Sequence, residues 1–440
     1  MSDMQPTSTE QTQGYRVLLL GGGGREHALA TALSQSPHCA ALFVAPGNPG
    51  TALIATNLDL IPSKSEAVSA AIHQNQIDLV VCGPEEPLVN GLADRLRDEF
   101  GHEELLFFGP GASGARLEGS KDFSKQFMAR HGIPTARYRT FTDDQLQEGL
   151  EYLSSHPLPV VLKADGLAAG KGVVICSTSA EACDTLTDML VNRRFGAASS
   201  RVVVEEFLQG IEMSAFVITD GRDYLLLPEA KDYKRVGERD TGLNTGGMGA
   251  ISPVPFAHTE FMVRVEERVI RRTLRGLQAE NIPYTGFIFF GLMKVGDDPY
   301  VIEYNVRMGD PETEVVVPRI QSDLLQHLVA ACKGELQAEY IETNPQTACI
   351  VMLVSGGYPG EYPRGFTIYG NTQRPLTYHA GTRRADDGSL QTAGGRVLAV
   401  GAMGADVSEA RLKAYKRVQE LCFEGVYFRR DIGLDLLTPW

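Results

Sequence analysis

The sequence predicts a three-domain protein of the α/β and α+β classes, beginning with a doubly wound parallel sheet. Over residues 16–112, short apolar runs alternate with helical patterns and end near Gly or Pro, which is typical of buried parallel strands. From about residue 134 the pattern becomes a mixture of hairpins and helices, and a smaller mixed α/β region follows. A length of 440 residues agrees with this division, at roughly 150 residues per domain.

The predicted boundaries place a disordered polar tail at 1–15 and domains at 16–112, 113–333 and 334–440. The first domain is predicted to contain five strands, at 17–20, 41–44, 58–61, 78–81 and 105–108. A helical connector at 116–131 leads into the central domain, whose predicted strands are 160–163, 173–176, 201–207, 214–219, 287–295 and 300–305. Helices are predicted at 181–190, 260–279 and 322–333, and the last domain is predicted to contain strands 350–354 and 394–400 and a helix at 407–419.

Composition excludes several classes of protein. Hydrophobic residues make up 43% and charged residues 22%, which is ordinary for a globular chain with real cores. A net charge of −14 argues against nucleic acid or an anionic membrane as a partner. The polar N-terminus resembles no signal peptide, and no apolar run approaches the ~18 residues of a membrane span.

The cysteines give further information about the class of protein. The seven cysteines are scattered and contain no CxxC pair, so we expect reduced thiols rather than disulfides or a zinc site. The expectation is a cytoplasmic, monomeric enzyme or binding protein for small molecules.

The most informative segment is the predicted strand at 301–304 and the polar patch that follows it. Glu303 and Asn305 are two residues apart, so both side chains leave the same face of an extended strand. Two adjacent oxygen donors suit Mg²⁺, which takes few protein ligands and keeps positions for phosphate and water. Arg307 follows on the same parity and can hold a carboxylate or phosphate. Taken alone, the patch also fits a polar strand end facing solvent.

A run of four glycines follows the first predicted strand and opens a helix. Backbone amides and a helix N-terminus suit a phosphate there, so Gly23 and Gly24 are candidate ligands. The spacing excludes a dinucleotide fingerprint, because Glu26 or His27 falls where the third glycine is needed. Loops at 46–51, containing Gly47 and Asn48, and at 83–88 belong to the same sheet edge, which favours one shared ligand over three ordinary turns.

A second small-residue loop, at 165–172, follows the strand that ends in Lys163. It lacks the Walker A frame, and Gly172 stands where Ser or Thr is required. We interpret Gly170, Lys171 and Gly172 as a flap over phosphates, with Lys163 as a second positive charge. The alternative, a flexible surface hairpin, leaves the two lysines unexplained.

Two further segments suit a nucleotide and an anionic substrate. The strand at 202–208 can read an adenine edge with its backbone, while Phe207 and Leu208 form apolar walls and Glu212 holds ribose hydroxyls. The long charged, glycine-rich segment at 232–249 begins with Asp232 and Lys234. Long loops of this kind in compact domains are often functional, although a solvated loop is the simpler interpretation.

Together these motifs resemble the phosphoribosylamine–glycine ligase family of ATP-grasp enzymes. The resemblance is carried by the strings GGGGREHA, APGNPGT, GPEEPL, LEGSKDFSK, KADGLAAGKGV, VVEEFL, DYKRVGERDTGLNTGGMGA, EYNVRMGDPETE, GGYPG, HAGT and GGRVL. It runs from about Arg16 to Gly433, and the KRVG…NTGGMG string is its most specific part. Gly22 replaces an Asn common in the family, and Val306 and Met308 replace a Cys and a Phe.

The resemblance implies an N-terminal substrate-binding domain, a central ATP-grasp domain and a C-terminal domain. It also implies a reaction in which ATP, glycine and 5-phosphoribosylamine give glycinamide ribonucleotide, ADP and phosphate through glycyl phosphate, in purine biosynthesis. Mg²⁺ or Mn²⁺ is the implied cofactor and ATP a co-substrate.

The roles that the resemblance implies fall on the residues already singled out and, in addition, on Lys121 and Glu205. The phosphates of ATP are assigned to Lys121, Lys163, Gly170, Lys171 and Gly172; its nucleoside to Glu205, Phe207, Leu208 and Glu212; the metal to Glu303 and Asn305; the acyl phosphate to Arg307, Asp232 and Lys234; and the ribosylamine phosphate to Gly23, Gly24, Gly47 and Asn48. The nearest alternative is another ATP-grasp carboxylate–amine ligase or carboxylase. A non-catalytic nucleotide sensor is disfavoured because Glu303 and Asn305 are both present.

Overall fold

A computed structural model describes residues 14–102, 104–167 and 172–437, with Ala197 as backbone only. The predicted tail at 1–15 lies outside this part of the chain except for Gly14 and Tyr15, and Tyr15 begins the first strand. The predicted phosphate ligands Gly170 and Lys171 also lie outside the described residues.

The N-terminal region is a five-stranded parallel sheet of order β3-β2-β1-β4-β5 with helices between the strands. Its elements are β1 Tyr15–Gly21, α1 Gly24–Ser34, β2 Cys39–Pro46, β3 Thr56–Asn57, α2 Ser65–Asn75, β4 Leu79–Cys82, α3 Glu85–Val89, α4 Leu92–Phe100 and β5 Leu106–Phe108. This confirms the predicted doubly wound sheet, and reversal of strand order at β1 places the glycine loops at its carboxyl edge.

The predicted strand at 58–61 is wrong. The edge strand is Thr56–Asn57, and the chain then turns, with the Leu60 amide donating to the Leu58 carbonyl. Ile61 is 56% exposed, so the apolar spacing of this run does not correspond to burial.

The predicted single helix at 116–131 is divided in two at Ser120. The first part is α5, Ala112–Gly119, and the second is α6, Lys121–Arg130. Ser120 has extended backbone and its side chain accepts a hydrogen bond from the Phe123 amide, so it ends one helix and caps the next. The break places Lys121 at the start of α6.

Two four-stranded antiparallel sheets form the central region. The first sheet has the order β6-β9-β7-β8, with strands β6 Tyr138–Thr142, β7 Val160–Ala164, β8 Val173–Cys176 and β9 Arg201–Glu206. Helices α7 Leu146–Ser155 and α8 Ser179–Leu190 lie between these strands along the chain. The second, of order β11-β10-β16-β17, contains β10 Ile211–Thr219, β11 Tyr224–Leu226, β16 Gly286–Val295 and β17 Asp298–Asn305. A helix backs it, with α9 Thr259–Val265 and α10 Arg271–Ala279 joined by a π turn at Glu266–Ile270.

A third, five-stranded sheet has the order β12-β15-β18-β22-β19. The remaining elements are β12 Lys231–Asp232, β13 Arg235–Gly237, β14 Thr241–Asn244, β15 Gly249–Ser252, α11 Thr313–Val316, α12 Leu324–Lys333, β18 Thr347–Val354, β19 Thr377–His379, β20 Thr382–Arg384, β21 Leu390–Thr392, β22 Arg396–Gly404 and α13 Val407–Val418. Strands β12 and β15 come from the segment before residue 333, so the sheet joins stretches that the sequence analysis assigned to different domains.

Two hydrophobic cores hold these layers together. The larger runs continuously through the N-terminal sheet, the β10–β17 sheet and the C-terminal sheet. The smaller lies between the β6–β9 sheet and helices α7 and α8, and includes Phe141, Leu162 and Leu186. In the described part of the chain, no helix has the length and apolarity to cross a membrane.

Candidate active site

One face of the β10–β17 sheet forms a polar floor. Glu212 and Ser214 lie on β10, and Ser214 pairs with Gly291 on β16. Gly291 in turn pairs with Glu303 on β17, so these positions line up across three strands. A Cβ at Gly291 would lie 3.0 Å from Glu303 Cγ, and glycine therefore leaves room for the carboxylate.

Lys234 connects this floor to the segment at 232–249. Its Nζ lies 2.9 Å from Glu212 Oε2 and 3.9 Å from Glu303 Oε1. Burial opposes its charge, but Glu212, Asp232 and Glu303 together raise the pKa of Lys234 well above its usual value. Lys234 is therefore a permanent cation beside the predicted metal ligands.

Glu303 is held in its ionised form. Burial favours the neutral acid, but Lys234, Lys163, Lys121 and Arg307 outweigh it and lower the pKa of the Glu303 carboxyl. Asn305 follows on the same strand, half-buried. In the described residues, no group of three or more His, Cys, Asp or Glu side chains is arranged to hold a metal. An anionic carboxylate with one amide oxygen fits a hard cation whose other positions are filled by phosphate and water.

Cations reach the same place from α6 and β7. Lys121 Nζ donates to the Gly166 carbonyl at 3.1 Å, and Lys163 Nζ donates to the Ile302 carbonyl at 3.1 Å, beside Glu303. Glu205 lies between Lys163 and Lys125, at 3.0 and 2.9 Å. Gly172 accepts the Ala164 amide at 2.8 Å, which anchors the end of the predicted flap to β7.

Arg307 joins the central region to the N-terminal sheet. Its guanidinium donates to Glu118 Oε1 at 2.8 Å and to Glu85 Oε2 at 3.2 Å. Glu118 also accepts the Val306 amide at 2.8 Å. Burial raises the pKa of Glu118 to about 7, against the opposing charge of Arg307. Two carboxyl groups, that of Glu85 on α3 and that of Glu118 on α5, therefore fix the orientation of the Arg307 guanidinium.

The glycine loop is organised by its own helix. Glu26 Oε2 accepts the Gly23 amide at 2.7 Å, and Glu26 Oε1 pairs with Arg25 at 2.6 Å. Glu26 is 2% exposed, and a Cβ at Gly21 would lie 2.5 Å from its side chain. The Gly23 amide is therefore already engaged, and the assignment of Gly23 and Gly24 to a substrate phosphate stays a prediction.

Asn48 acts as a junction between segments far apart in sequence. Its Nδ2 donates to the carbonyls of Gly22 and His379 at 3.0 and 2.9 Å, while Oδ1 accepts the Gly50 and Thr51 amides. The buried side chain thus positions the Gly47 loop against the glycine loop and the C-terminal region. Its predicted contact with substrate is untested.

The predicted nucleoside residues occupy different environments. Strand β9 pairs with β6 on one side and β7 on the other and ends at Glu206. Phe207 and Leu208 are the next two residues, beyond the last paired position. Phe207 is 39% exposed and lines a cleft of ≈ 420 Å³ together with Tyr152 and His156. The carboxylates of Glu205 and Glu212 are engaged by lysines, and their predicted nucleoside contacts remain predictions.

Several polar residues of the site were not singled out by sequence. They are Glu85, Glu118, Lys125, Glu312 and Arg396. Lys125 follows Lys121 by four residues, so helical spacing alone places both on one face of α6. The others carry no local signal, because their partners are distant along the chain. Arg307 is 222 residues from Glu85 and 189 residues from Glu118. Ser214 is 98 residues from Glu312, and Asp310 is 86 residues from Arg396.

Comparison with protein families gives three matches that follow one another along the chain. Residues 15–118 match the N domain of phosphoribosylglycinamide synthetase, residues 119–313 its ATP-grasp (A) domain, and residues 348–435 its C domain. The three-part organisation of the fold agrees with this order.

Curated relatives match nearly the whole chain. A phosphoribosylamine–glycine ligase of Escherichia coli O6:H1 is 45% identical over 426 residues, covering 95% of this chain and 98% of the relative. One from Vibrio parahaemolyticus is 44% identical over 425 residues, covering 95% and 97%.

Solved structures extend the likeness to three dimensions. A crystal structure of phosphoribosylamine–glycine ligase from Thermotoga maritima matches with a TM-score of 0.83 and 36% identity, covering 95% of this chain and 100% of that one. The biotin carboxylase domain of Hydrogenobacter thermophilus 2-oxoglutarate carboxylase, at 17% identity and a TM-score of 0.70, shares the fold alone. Identity of this degree over nearly the full length shows that the chain belongs to the phosphoribosylamine–glycine ligase family.

Proposed function

We propose that the protein joins glycine to 5-phosphoribosylamine with ATP, giving glycinamide ribonucleotide, ADP and phosphate. The glycine carboxylate attacks the γ-phosphate of ATP and forms glycyl phosphate. The amine of phosphoribosylamine then attacks the acyl carbon and displaces phosphate. This is a carboxylate–amine ligation in the synthesis of purines.

The observation that carries the proposal is the convergence of charged residues from four segments around Glu303. Lys234 Nζ lies 3.9 Å from the Glu303 carboxylate and Lys163 Nζ donates to the adjacent Ile302 carbonyl. Together with Lys121 and Arg307, these lysines lower the pKa of the Glu303 carboxyl. Such a cluster suits phosphoryl transfer, in which positioning and charge neutralisation supply most of the catalysis. The relatives at 44–45% identity support the particular reaction.

In this proposal each group has a limited task. Lys121 and Lys163 hold the phosphates of ATP, and Lys234 stabilises charge on the γ-phosphate as it is transferred. Arg307, aimed by Glu85 and Glu118, holds the acyl phosphate. Lys125 and Glu205 keep Lys163 in position. In this scheme the lysines act as charged hydrogen-bond donors and form no covalent bond with a substrate.

Glu303 and Asn305 would hold Mg²⁺, or Mn²⁺, which when bound neutralises phosphate charge and orients the γ-phosphate for transfer. The proposal also includes small-molecule substrates only, a monomeric state and a cytoplasmic location.

A second candidate is another ATP-grasp ligase or a carboxylase, favoured by the shared fold with biotin carboxylases. Omission assays separate the two. Phosphate release from ATP should require glycine and freshly prepared phosphoribosylamine together, and bicarbonate should not replace glycine. Turnover that continues without phosphoribosylamine, or that depends on bicarbonate, would contradict the ligase assignment.

A further inference from the structure

Arg429 is a buried cation in the last stretch of the chain, after α13. Its side chain is 1% exposed, and its guanidinium forms two parallel hydrogen bonds with the Asp431 carboxylate, both of 2.8 Å. Its Nη1 donates to Asp240 Oδ1 at 2.6 Å. Burial opposes the charge, but these two carboxylates outweigh it and raise the pKa of Arg429 above its usual value. Arg429 is therefore a fixed, charged link between the C-terminal stretch and the segment at 232–249.

The Arg429 guanidinium also contacts the residues on either side of Lys234. Its Nη1 donates to the Arg235 carbonyl at 3.1 Å, and its central carbon lies 5.2 Å from the centroid of the Tyr233 ring. Tyr233 is held a second time, because its hydroxyl donates to Asp435 Oδ1 at 2.6 Å. The backbone of Lys234 thus lies between two residues that contact Arg429, while its side chain reaches the polar floor.

The turn between β13 and β14 has a backbone conformation that needs outside support. Arg239 and Asp240, neither of them glycine, have positive φ angles of 55° and 53°. Such a pair is unfavourable for L-residues and persists only where the surroundings fix it. Here the Arg239 amide donates to Asp431 Oδ2 at 2.7 Å, and Asp240 pairs with Arg429. The pair of Arg429 and Asp431 therefore holds the turn in this conformation.

The C-terminal stretch is in turn anchored to helix α13. The Tyr415 hydroxyl donates to the Arg429 carbonyl at 2.7 Å, and Arg411 donates to the carbonyls of Arg430 and Ile432, both at 2.6 Å. Helix α13 packs against β18 and β22 of the C-terminal sheet. The C-terminal region thus sets the position of Arg429, and Arg429 sets the position of the backbone around Lys234.

We propose that Arg429 is a positioning residue for the ligation, which places Lys234 on the floor of the site. This inference rests on the proposed function, in which Lys234 stabilises charge on the transferred γ-phosphate. Catalysis of phosphoryl transfer depends mainly on position, and a misplacement of about 1 Å costs on the order of 100-fold in rate. The inference gives the C-terminal region a task in turnover, although none of its side chains need touch ATP.

A double-mutant cycle separates positioning from general support of the fold. The variants are Arg429→Met, Lys234→Met and the two combined, with Arg429→Lys as the conservative change. Arg430→Met, which removes the same charge from an exposed neighbour, is the matched control. Steady-state kinetics with the full chain give kcat and the Michaelis constants of all three substrates. Calorimetry with a non-hydrolysable ATP analogue and Mg²⁺ reports nucleotide binding, and circular dichroism reports the fold.

We expect Arg429→Met to lower kcat by about 30- to 100-fold, while each Michaelis constant and the affinity for the ATP analogue stay within about threefold of wild type. In the Lys234→Met background the same change should lower kcat by less than about threefold, because the group that Arg429 positions is already gone. Arg429→Lys should fall between wild type and Arg429→Met, since lysine keeps the charge and loses the paired hydrogen bonds. Arg430→Met should behave as wild type.

Equal losses of kcat in the two backgrounds would overturn the inference, because Arg429 would then act independently of Lys234. Normal turnover of folded Arg429→Met, or a rise in the Michaelis constants at unchanged kcat, would also overturn it. So would near-normal turnover of Lys234→Met, since Arg429 would then have no catalytic group to position.

If Arg429→Met does not fold, Asp240→Asn replaces it in the cycle. This change removes the charge that ties the turn to Arg429, at a side chain that is 57% exposed. A loss of kcat that disappears in the Lys234→Met background supports the inference, and normal turnover or an equal loss in both backgrounds overturns it. Failure of the proposed function would show in the wild type, as absence of phosphate release that requires glycine and phosphoribosylamine, whereas failure of this inference shows only in the variants.

Discussion

At the scale of single residues, the surrounding basic side chains set the charge of Glu303. Four basic side chains keep it ionised despite burial. We expect Glu303→Gln to lower turnover by about 100-fold or more, because an amide binds a hard divalent cation far more weakly than a carboxylate. Turnover across a Mg²⁺ titration measures this, with circular dichroism for the fold.

Glu409→Gln, a charge change on the distant helix α13, is the control for this prediction. Near-normal turnover of Glu303→Gln at low Mg²⁺ would exclude direct metal binding by this carboxylate.

Gly24 is limited by a neighbour that the local sequence does not reveal. A Cβ there would lie 2.4 Å from Glu314 Oε1, a fully buried oxygen without a hydrogen-bond partner among the described residues. Gly24→Ala should therefore destabilise the protein by about 1–3 kcal/mol, as overpacking does. Adding Glu314→Ala should remove most of that loss. Urea unfolding of both single variants and the double variant measures the coupling.

The kinetics of the same variants test the predicted ribosylamine site. If Gly24 faces that substrate, its Michaelis constant should rise in Gly24→Ala while affinity for an ATP analogue stays close to wild type. If the folded variant lost affinity for the ATP analogue to the same extent, the assignment of the two phosphate sites to their domains would be wrong.

At the scale of elements, helix α6 presents two lysines to the site through its helical period. Lys125 is 2% exposed at its side chain, and burial lowers its pKa to about 8 despite Glu205. Below pH 8 the lysine is protonated in both the folded and unfolded states. Between pH 8 and about 10.5 only the folded state releases the proton, so the unfolded state binds more protons and stability rises with pH.

We therefore expect the stability of the wild type, relative to Lys125→Met, to increase by roughly 3 kcal/mol between pH 8 and 10.5. Urea unfolding of both proteins from pH 7 to 10.5 measures the difference, in which the titration of groups distant from Lys125 cancels. A difference that stays flat over this range would mean that Lys125 keeps its proton in the folded protein.

Elements also show where local patterns stop being informative. The predicted strands in β1, β4, β16 and β17 correspond to observed ones because their apolar residues are buried on both faces or alternate with the pleat. The apolar run at 58–61 lies beyond the sheet edge, where the same pattern faces solvent. Ser120 divides the predicted connector helix because a capping side chain competes with continuation of the helix.

At the scale of the whole molecule, the separation of the two hydrophobic cores predicts independent motion. The core of β6–β9, α7 and α8 does not merge with the larger one. Hydrogen exchange should therefore be faster in residues 138–206 than in the N-terminal sheet. An ATP analogue should slow exchange most at 160–176, because Lys163 would then hold phosphate. Equal exchange with and without nucleotide would contradict a flap that closes over ATP.

The sequence by itself determined what short-range geometry controls. The spacing of Glu303, Asn305 and Arg307 along one strand, the glycines after β1 and the lysine ending β7 all depend on backbone period and turn chemistry, which act over a few residues. Those patterns predicted the parallel sheet and much of the charged cluster, and the resemblance of longer sequence strings predicted the family.

Only the tertiary structure decided which of those residues meet, and in what state of charge. Asp232 pairs with β15 in the C-terminal sheet, and the Glu26 side chain accepts the Gly23 amide of the glycine loop. Packing between segments distant in sequence buries Glu312 and Glu314. A pKa depends on burial and on charges within a few ångströms, and neither quantity is local in sequence.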